Sequence, residues 1–232
     1  MRCGSFLRRD TSNSSGETIT TVLRGPGRLT QSVAESSFDA WIKFYRQDEN
    51  TPNAGVSYYA KGSLVALALD LTLRSLGGAS LDDLMRELWK RHGRPGIGVP
   101  EDGIEKMASE LAGQDLGDFF TRYVFGTEDL PLAKLLSEFG VTLRLRAATG
   151  PKDRGGKAAQ GDTLRSTFAA RVGPDLKVTH VLRGGPASRA GLAAGDTLVA
   201  IDHLKASSEM LASLLQRPAG GKPLDRARVP AR

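Results

Sequence analysis

Apolar residues crowd the stretch V-S-Y-Y-A-K-G-S-L-V-A-L-A-L-D-L, Val56 to Leu71, on nearly every helical face. At this length the pattern predicts a helix over Tyr58 to Arg74 that is buried among others, closed by Gly77-Gly78. Ser80 followed by Asp83 is an N-cap signature. Leu81, Leu84, Met85, Leu88 and Trp89 then fall on one stripe, until Gly93 supplies a stop. The same pattern recurs twice. Ile104, Met107, Ala108 and Leu111 precede Gly113; Leu116, Phe119, Phe120, Tyr123 and Val124 follow Asp115, a further candidate cap. A short helix over Leu132 to Phe139 stops at Gly140, and another over Thr18 to Arg24 ends at G-P-G. The cluster S-F-D-A-W-I-K-F-Y is expected to bury Trp41 and Phe44.

At Val141 the period changes. V-T-L-R-L-R alternates as a half-buried strand does. Residues 147–163 are rich in Gly, Lys and small side chains that cannot pack a core, which places a domain boundary there. Beyond it helix signals are scarce until Ser207. Residues 1–16, with the turn-favouring run T-S-N-S-S-G, are expected to be a disordered or divergent tail. The division is therefore 1–16 tail, 17–146 helical domain, 147–163 linker and 164–232 small β-rich domain, an α+β chain of two domains. The C-terminal run R-P-A-G-G-K-P-L-D-R-A-R-V-P-A-R lacks a convincing final strand.

Composition narrows the function classes. Of 232 residues 40% are hydrophobic, enough for a core. The net charge of +6 comes from basic residues interleaved with acids, and neither an RNA-binding aromatic motif nor zinc-finger spacing is present, so no nucleic-acid partner is expected. One cysteine, Cys3, permits no internal disulfide. No apolar run reaches the roughly 20 residues of a membrane span, and the N-terminus has no signal-peptide core. The expectation is a cytoplasmic chain without a membrane partner.

The stretch L-K-V-T-H-V-L-R-G-G-P-A-S-R-A-G-L-A-A-G-D-T-L-V-A-I-D, Leu176 to Asp202, resembles the core of a PDZ domain of the bacterial protease-associated type. A strand leads through Gly184-Gly185 to a short helix opened by Pro186. A left-handed stop at Gly191, a turn at Gly195-Asp196 and a second strand follow. The resemblance implies binding of peptides or protein termini by strand addition, with a carboxylate received at Thr167, Phe168, Ala169 and Ala170. Ala169 and His203 stand where that family usually has glycine.

The helical half, from Gly27 to Leu71 and on through L-D-D-L-M-R-E-L-W and V-P-E-D-G-I-E, closely resembles the C-terminal part of the catalytic region of the glycyl aminopeptidase family of zinc metallopeptidases (metallopeptidase family 61, gluzincin type). The resemblance covers roughly residues 18–216. It implies the helical C-terminal subdomain of a thermolysin-like peptidase followed by a PDZ domain. In such enzymes the tyrosine of Y-x-K-G, here Tyr59, donates to the oxyanion of the tetrahedral intermediate, an interaction worth about two to three orders of magnitude in rate. Taken alone, Tyr59 reads as a core tyrosine heading a buried helix; the surrounding resemblance is what turns the reading to the oxyanion donor. Tyr58 is read as packing, and Lys61 has no assignment.

The family holds its zinc cofactor through H-E-x-x-H and a glutamate on a following helix. This chain has only His92, His180 and His203, no two of them four apart, so the sequence offers no metal ligands and no cofactor site of its own. The reading is thus a truncated aminopeptidase segment, inactive alone, whose partner would be a missing N-terminal catalytic half. The alternatives are a non-catalytic PDZ adaptor for peptide termini and a non-functional remnant that exposes a large apolar surface.

Overall fold

The structure, a computed structural model, describes residues 9–146, 168–215 and 226–229. In chain order the elements are α1 (Arg9–Arg24), α2 (Val33–Phe38), a π-helical turn (Ala40–Phe44), α3 (Thr51–Ala54), α4 (Tyr58–Leu76) and α5 (Leu81–Leu88). A π turn at Trp89–Gly93, α6 (Gly103–Ala112), α7 (Gly117–Phe120), a π turn at Thr121–Phe125 and α8 (Leu132–Glu138) complete the first part. Next come β1 (Ala170–Val172), β2 (Val178–Val181), α9 (Pro186–Arg189), β3 (Thr197–Ile201), β4 (Leu204–Lys205), α10 (Ser208–Leu215) and β5 (Arg226–Val229). Two compact units result. One holds Gly27–Tyr45 and Gly55–Leu145; the other holds Met1–Pro26, Arg46–Ala54 and Arg146–Arg232. Residues 1–26 and 46–54 thus group with the β-rich end, across the boundary expected from composition.

In the helical unit α4 is the hub, packed by α2, α5, α6 and α8. Ser57 caps it, its hydroxyl accepting from the Ala60 N–H. Leu64, Val65, Ala68, Leu69, Leu71 and Leu73 are buried along it, each leucine contributing about 1.5–3 kcal/mol of apolar burial. Leu84, Met107, Ala108, Leu116, Phe119, Phe120, Tyr123, Leu132, Leu135 and Leu136 are buried with them. Asp70 crosses to the next helix: its carboxylate accepts from the Leu81 N–H and from Arg74, both at 2.8 Å. Ser80 and Asp83 form the expected capping box of α5.

Several expectations fail here. Trp41 is 81% exposed rather than core, because the π turn that carries it swings its ring outward, and on the α5 stripe only Leu84 is fully buried while Met85 and Trp89 stay exposed. Residues 141–146 form no strand. Instead, the Val141 N–H closes the end of α8 on the Leu136 carbonyl, and among the described residues no neighbouring strand gives the alternation a partner. Arg9 to Gly16, expected as tail, is helical from Arg9.

In the other unit, β1 and β2 pair antiparallel, and β3 pairs with β4 on one side and β5 on the other. The strand at Arg226–Val229 corrects the expectation that the C-terminal run lacks one. Ala170, Val172, Val178 and Ala187 form the core, with Phe168, Leu176, Val181, Leu192, Leu198 and Leu211 packed against them. The excursion 46–54 belongs here through Asn53, which is 7% exposed. Its carboxamide nitrogen donates to the Val181 carbonyl at 2.8 Å, and its oxygen accepts from the Arg183 N–H at 2.9 Å. An amide side chain presents one acceptor and two donors, so it meets the end of β2 as another strand's peptide group would. The 147–163 linker lies outside the described residues.

Candidate functional site

Tyr59 sits in the first turn of α4, and the segment leading into that turn is held from three sides. The Val56 carbonyl accepts from the buried Ser36 hydroxyl at 2.5 Å, and the Val56 N–H donates to Gln31 at 3.2 Å. Gly27 lies against Gly55 so closely that a Cβ on Gly27 would run into the Gly55 carbonyl. Below the turn Lys61 is 1% exposed, its ammonium donating to the Arg28 carbonyl at 3.1 Å. The Arg28 guanidinium forks onto both carboxylate oxygens of Asp129, at 2.8 and 3.1 Å. Burial pushes the Lys61 amine below its ordinary value, with Asp129 opposing the shift and Arg28 adding to it.

Around Tyr59 the structure gathers aromatic rings that the sequence keeps apart. The π turn at Ala40–Phe44 delivers Phe44 and Tyr45 to the head of α4. Phe44 packs edge-on against Tyr45 and Tyr58, centroids 5.3 and 5.2 Å apart, and tilts against Tyr59 at 6.0 Å. Tyr58 and Tyr59 lie 4.2 Å apart, and Trp41 flanks Tyr45 at 5.3 Å. Three hydroxyls converge. The Tyr45 hydroxyl is 3.3 Å from that of Tyr58 and 3.3 Å from that of Tyr59, long for such bonds but aligned for both. Tyr59 is 61% exposed. Hydrogen bonding with Tyr45 first, then with Tyr58, lowers the Tyr59 phenol below its ordinary value, while hydrogen bonding with Tyr45 and Tyr59 raises that of Tyr58.

In the β-rich unit Phe168, Ala169 and Ala170 precede and open β1, while Thr167 lies outside the described residues. The Phe168 carbonyl accepts from the Ala187 N–H at 3.1 Å and the Ala169 carbonyl from the Leu182 N–H at 2.9 Å. Ala169 adopts φ 56°, the left-handed conformation that favours glycine, and its methyl fills the space a side chain on Gly185 would need.

The histidines do not fit a zinc site. His92 bonds the Gly98 carbonyl through Nδ1, His180 bonds Thr179, and His203 occupies a turn. Among the described residues no three His, Cys, Asp or Glu side chains are grouped to hold a metal. Also among the described residues, no single helix is long and apolar enough to cross a membrane. Sequence reasoning singled out Tyr59 but not Tyr45, which lies 14 residues away across the polar, turn-rich run R-Q-D-E-N-T-P-N-A-G. No periodicity links the two; only the π turn does.

Comparison with known proteins gives two findings. Residues 1–65 match the model of the M61 glycyl aminopeptidase family, a zinc peptidase family; the matched stretch includes residues 1–16, which the sequence reading set apart. A solved structure, the aminopeptidase N family protein from Idiomarina loihiensis, superposes with a TM-score of 0.81 at 38% identity over 93% of this chain. The match spans 38% of that chain's length. No curated protein matches.

Proposed function

We propose that this chain supplies one wall of the peptide-hydrolysing cleft of a zinc aminopeptidase, with Tyr59 as the donor to the oxyanion of the tetrahedral intermediate. The observation that carries the reading is the exposed Tyr59 at the head of α4, the hub helix of its unit, in a chain similar to a glycyl aminopeptidase family and to an aminopeptidase structure. A rigid donor aimed at developing charge needs this kind of support, because catalysis depends on its being in place before the charge forms. The residues present do not fit the zinc, so the metal and the attacking water would come from polypeptide outside this sequence; this chain contributes orientation and the hydrogen bond. The chain alone is expected to show no chelator-sensitive release of p-nitroaniline from glycyl p-nitroanilide, and detecting such release would overturn the reading.

The direct test replaces the corresponding part of the Idiomarina loihiensis protein with this chain and compares the hybrid with its parent on the same substrate. Tyr59→Phe in the hybrid should lower kcat about 10²- to 10³-fold at unchanged far-UV circular dichroism. Activity indifferent to that substitution would remove Tyr59 from the mechanism. The β-rich unit is proposed to act as a PDZ-like binder of peptide termini at Thr167 to Ala170, a reading supported by β1 pairing on one side only, with β2, among the described residues. Titrating a fluorescent peptide against the protein, with and without its terminal carboxylate blocked, checks this; equal affinities would exclude carboxylate capture.

A further inference from the structure

The end of α2 and the π turn after it are turned inside out. Ser32, Ser36 and Ala40 are buried, while Phe38, Trp41, Ile42 and Tyr45 are 91, 81, 66 and 54% exposed. The four large side chains stand at i, i+3, i+4 and i+7, the spacing of an apolar helix face, and such a face ordinarily packs into a core. Here small side chains take the inner side and large ones the outer. Trp41 rests on Tyr45, ring centroids 5.3 Å apart. With about 150–250 Å² available on each aromatic side chain, the stripe exposes roughly 500 Å², toward the upper end of what a monomer leaves in one patch. One partner's share of a standard interface is about 800 Å². The charged residues within the stretch, Asp39 and Lys43, pair with each other, so the face offers a ligand no net charge.

Tyr59 decides what lies against this face. Tyr45 ends the stripe and also belongs to the ring cluster at the head of α4, its hydroxyl 3.3 Å from that of Tyr59. An oxyanion donor works only at hydrogen-bond distance from the reacting carbonyl. The polypeptide that holds the zinc must therefore stand beside the head of α4, where the stripe arrives. The superposed aminopeptidase has polypeptide to fill that place, since this chain's match spans 38% of it. We propose that Phe38, Trp41, Ile42 and Tyr45 form the docking face for the zinc-bearing polypeptide of the aminopeptidase, with Trp41 as its central anchor. This rests on the reading of the chain as one wall of the cleft. Large aromatic side chains are the ones that dominate protein–protein anchors. The face also explains why S-F-D-A-W-I-K-F-Y reads as core in the sequence: the pattern is written for a core that two polypeptides complete.

Hydroxyl-radical footprinting read by mass spectrometry tests this on three proteins: the whole chain, the hybrid in which it replaces the corresponding part of the Idiomarina loihiensis protein, and that parent. In the free chain Phe38, Trp41, Ile42 and Tyr45 should react as exposed side chains do. In the hybrid they should be protected several-fold, Trp41 most of all; rates equal to those of the free chain overturn the proposal. The parent answers the same question without the hybrid, because its segment superposing on Phe38 to Tyr45 should be protected, and a reactive segment there overturns the proposal too. Protection in the free chain that grows with its concentration would assign the face to a second copy instead. Trp41→Ser should leave the Tm of the free chain in place and lower that of the hybrid; equal shifts in both would show a structural role only. The footprint needs neither zinc nor turnover. A protected stripe with activity indifferent to Tyr59→Phe removes the catalytic reading alone, and a Tyr59-dependent hybrid with a reactive stripe removes the docking face alone.

Discussion

Lys61 shows how much a single position can hide. In the sequence it is a lysine in the first turn of a helix, where a long side chain ordinarily reaches water. In the structure it is among the largest fully buried side chains, tied to the Arg28 carbonyl above the Arg28–Asp129 fork. Its amine is pushed below the ordinary 10.5 by burial. Between the lowered value and 10.5 the unfolded chain binds more protons than the folded one, so stability rises with pH across that window and the buried charge weighs against folding below it. Urea denaturation at a series of alkaline pH values should show this rise, and Lys61→Met should flatten it; an unchanged slope would show that the amine is not the source. Gly27 is the other hidden position. Its closeness to Gly55 has no signature beyond a G-P-G turn, yet Gly27→Ala forces two backbone segments apart and should cost about 1–3 kcal/mol by thermal unfolding. A motif marks Tyr59 in the sequence, whereas Tyr45, Lys61 and Asn53 act through contacts between segments that carry no joint pattern.

At the scale of elements, local chemistry was readable and partnership was not. The capping box of α5, the glycine stops of α4 and α6 and the Pro186 start of α9 all lie where their residue types require them. Ser80→Ala should accordingly cost about 1 kcal/mol of stability, measured by chemical denaturation. The alternating run at 141–146 misled because alternation describes a strand only when another strand lies beside it. Arg226–Val229 escaped notice for the complementary reason: its pairing with β3 is made by the backbone, to which side-chain pattern gives little clue. The β3–β4 hairpin closes with only Asp202 and His203, at φ 50° and 65°, the mirror-image turn that prefers glycine at its second position. His203→Gly relieves a left-handed side chain and should raise stability by about 1 kcal/mol, visible as a higher Tm.

At the scale of the whole molecule, the sequence was divided at a composition change, but the chain passes between its two units at residues 26/27, 45/46, 54/55 and 145/146. The excursion 46–54 separates the strip that carries Tyr45 from the helix that carries Tyr59, and it is fastened by Asn53 to the end of β2. Asn53→Ala leaves the Val181 carbonyl and the Arg183 N–H without that partner. We expect a loss of about 1–3 kcal/mol and faster hydrogen exchange at the Arg183 amide; exchange at the wild-type rate would show the fastening to be idle. The same fastening sets an order of events during synthesis. Residue 53 leaves the ribosome 130 positions before residue 183, which at translation speeds is a wait on the order of ten seconds, ample time for helices to form. The helical strips can therefore close around a loop whose anchor does not yet exist. The excursion spends that interval as an open tether, and β2 must find it already in place when it emerges.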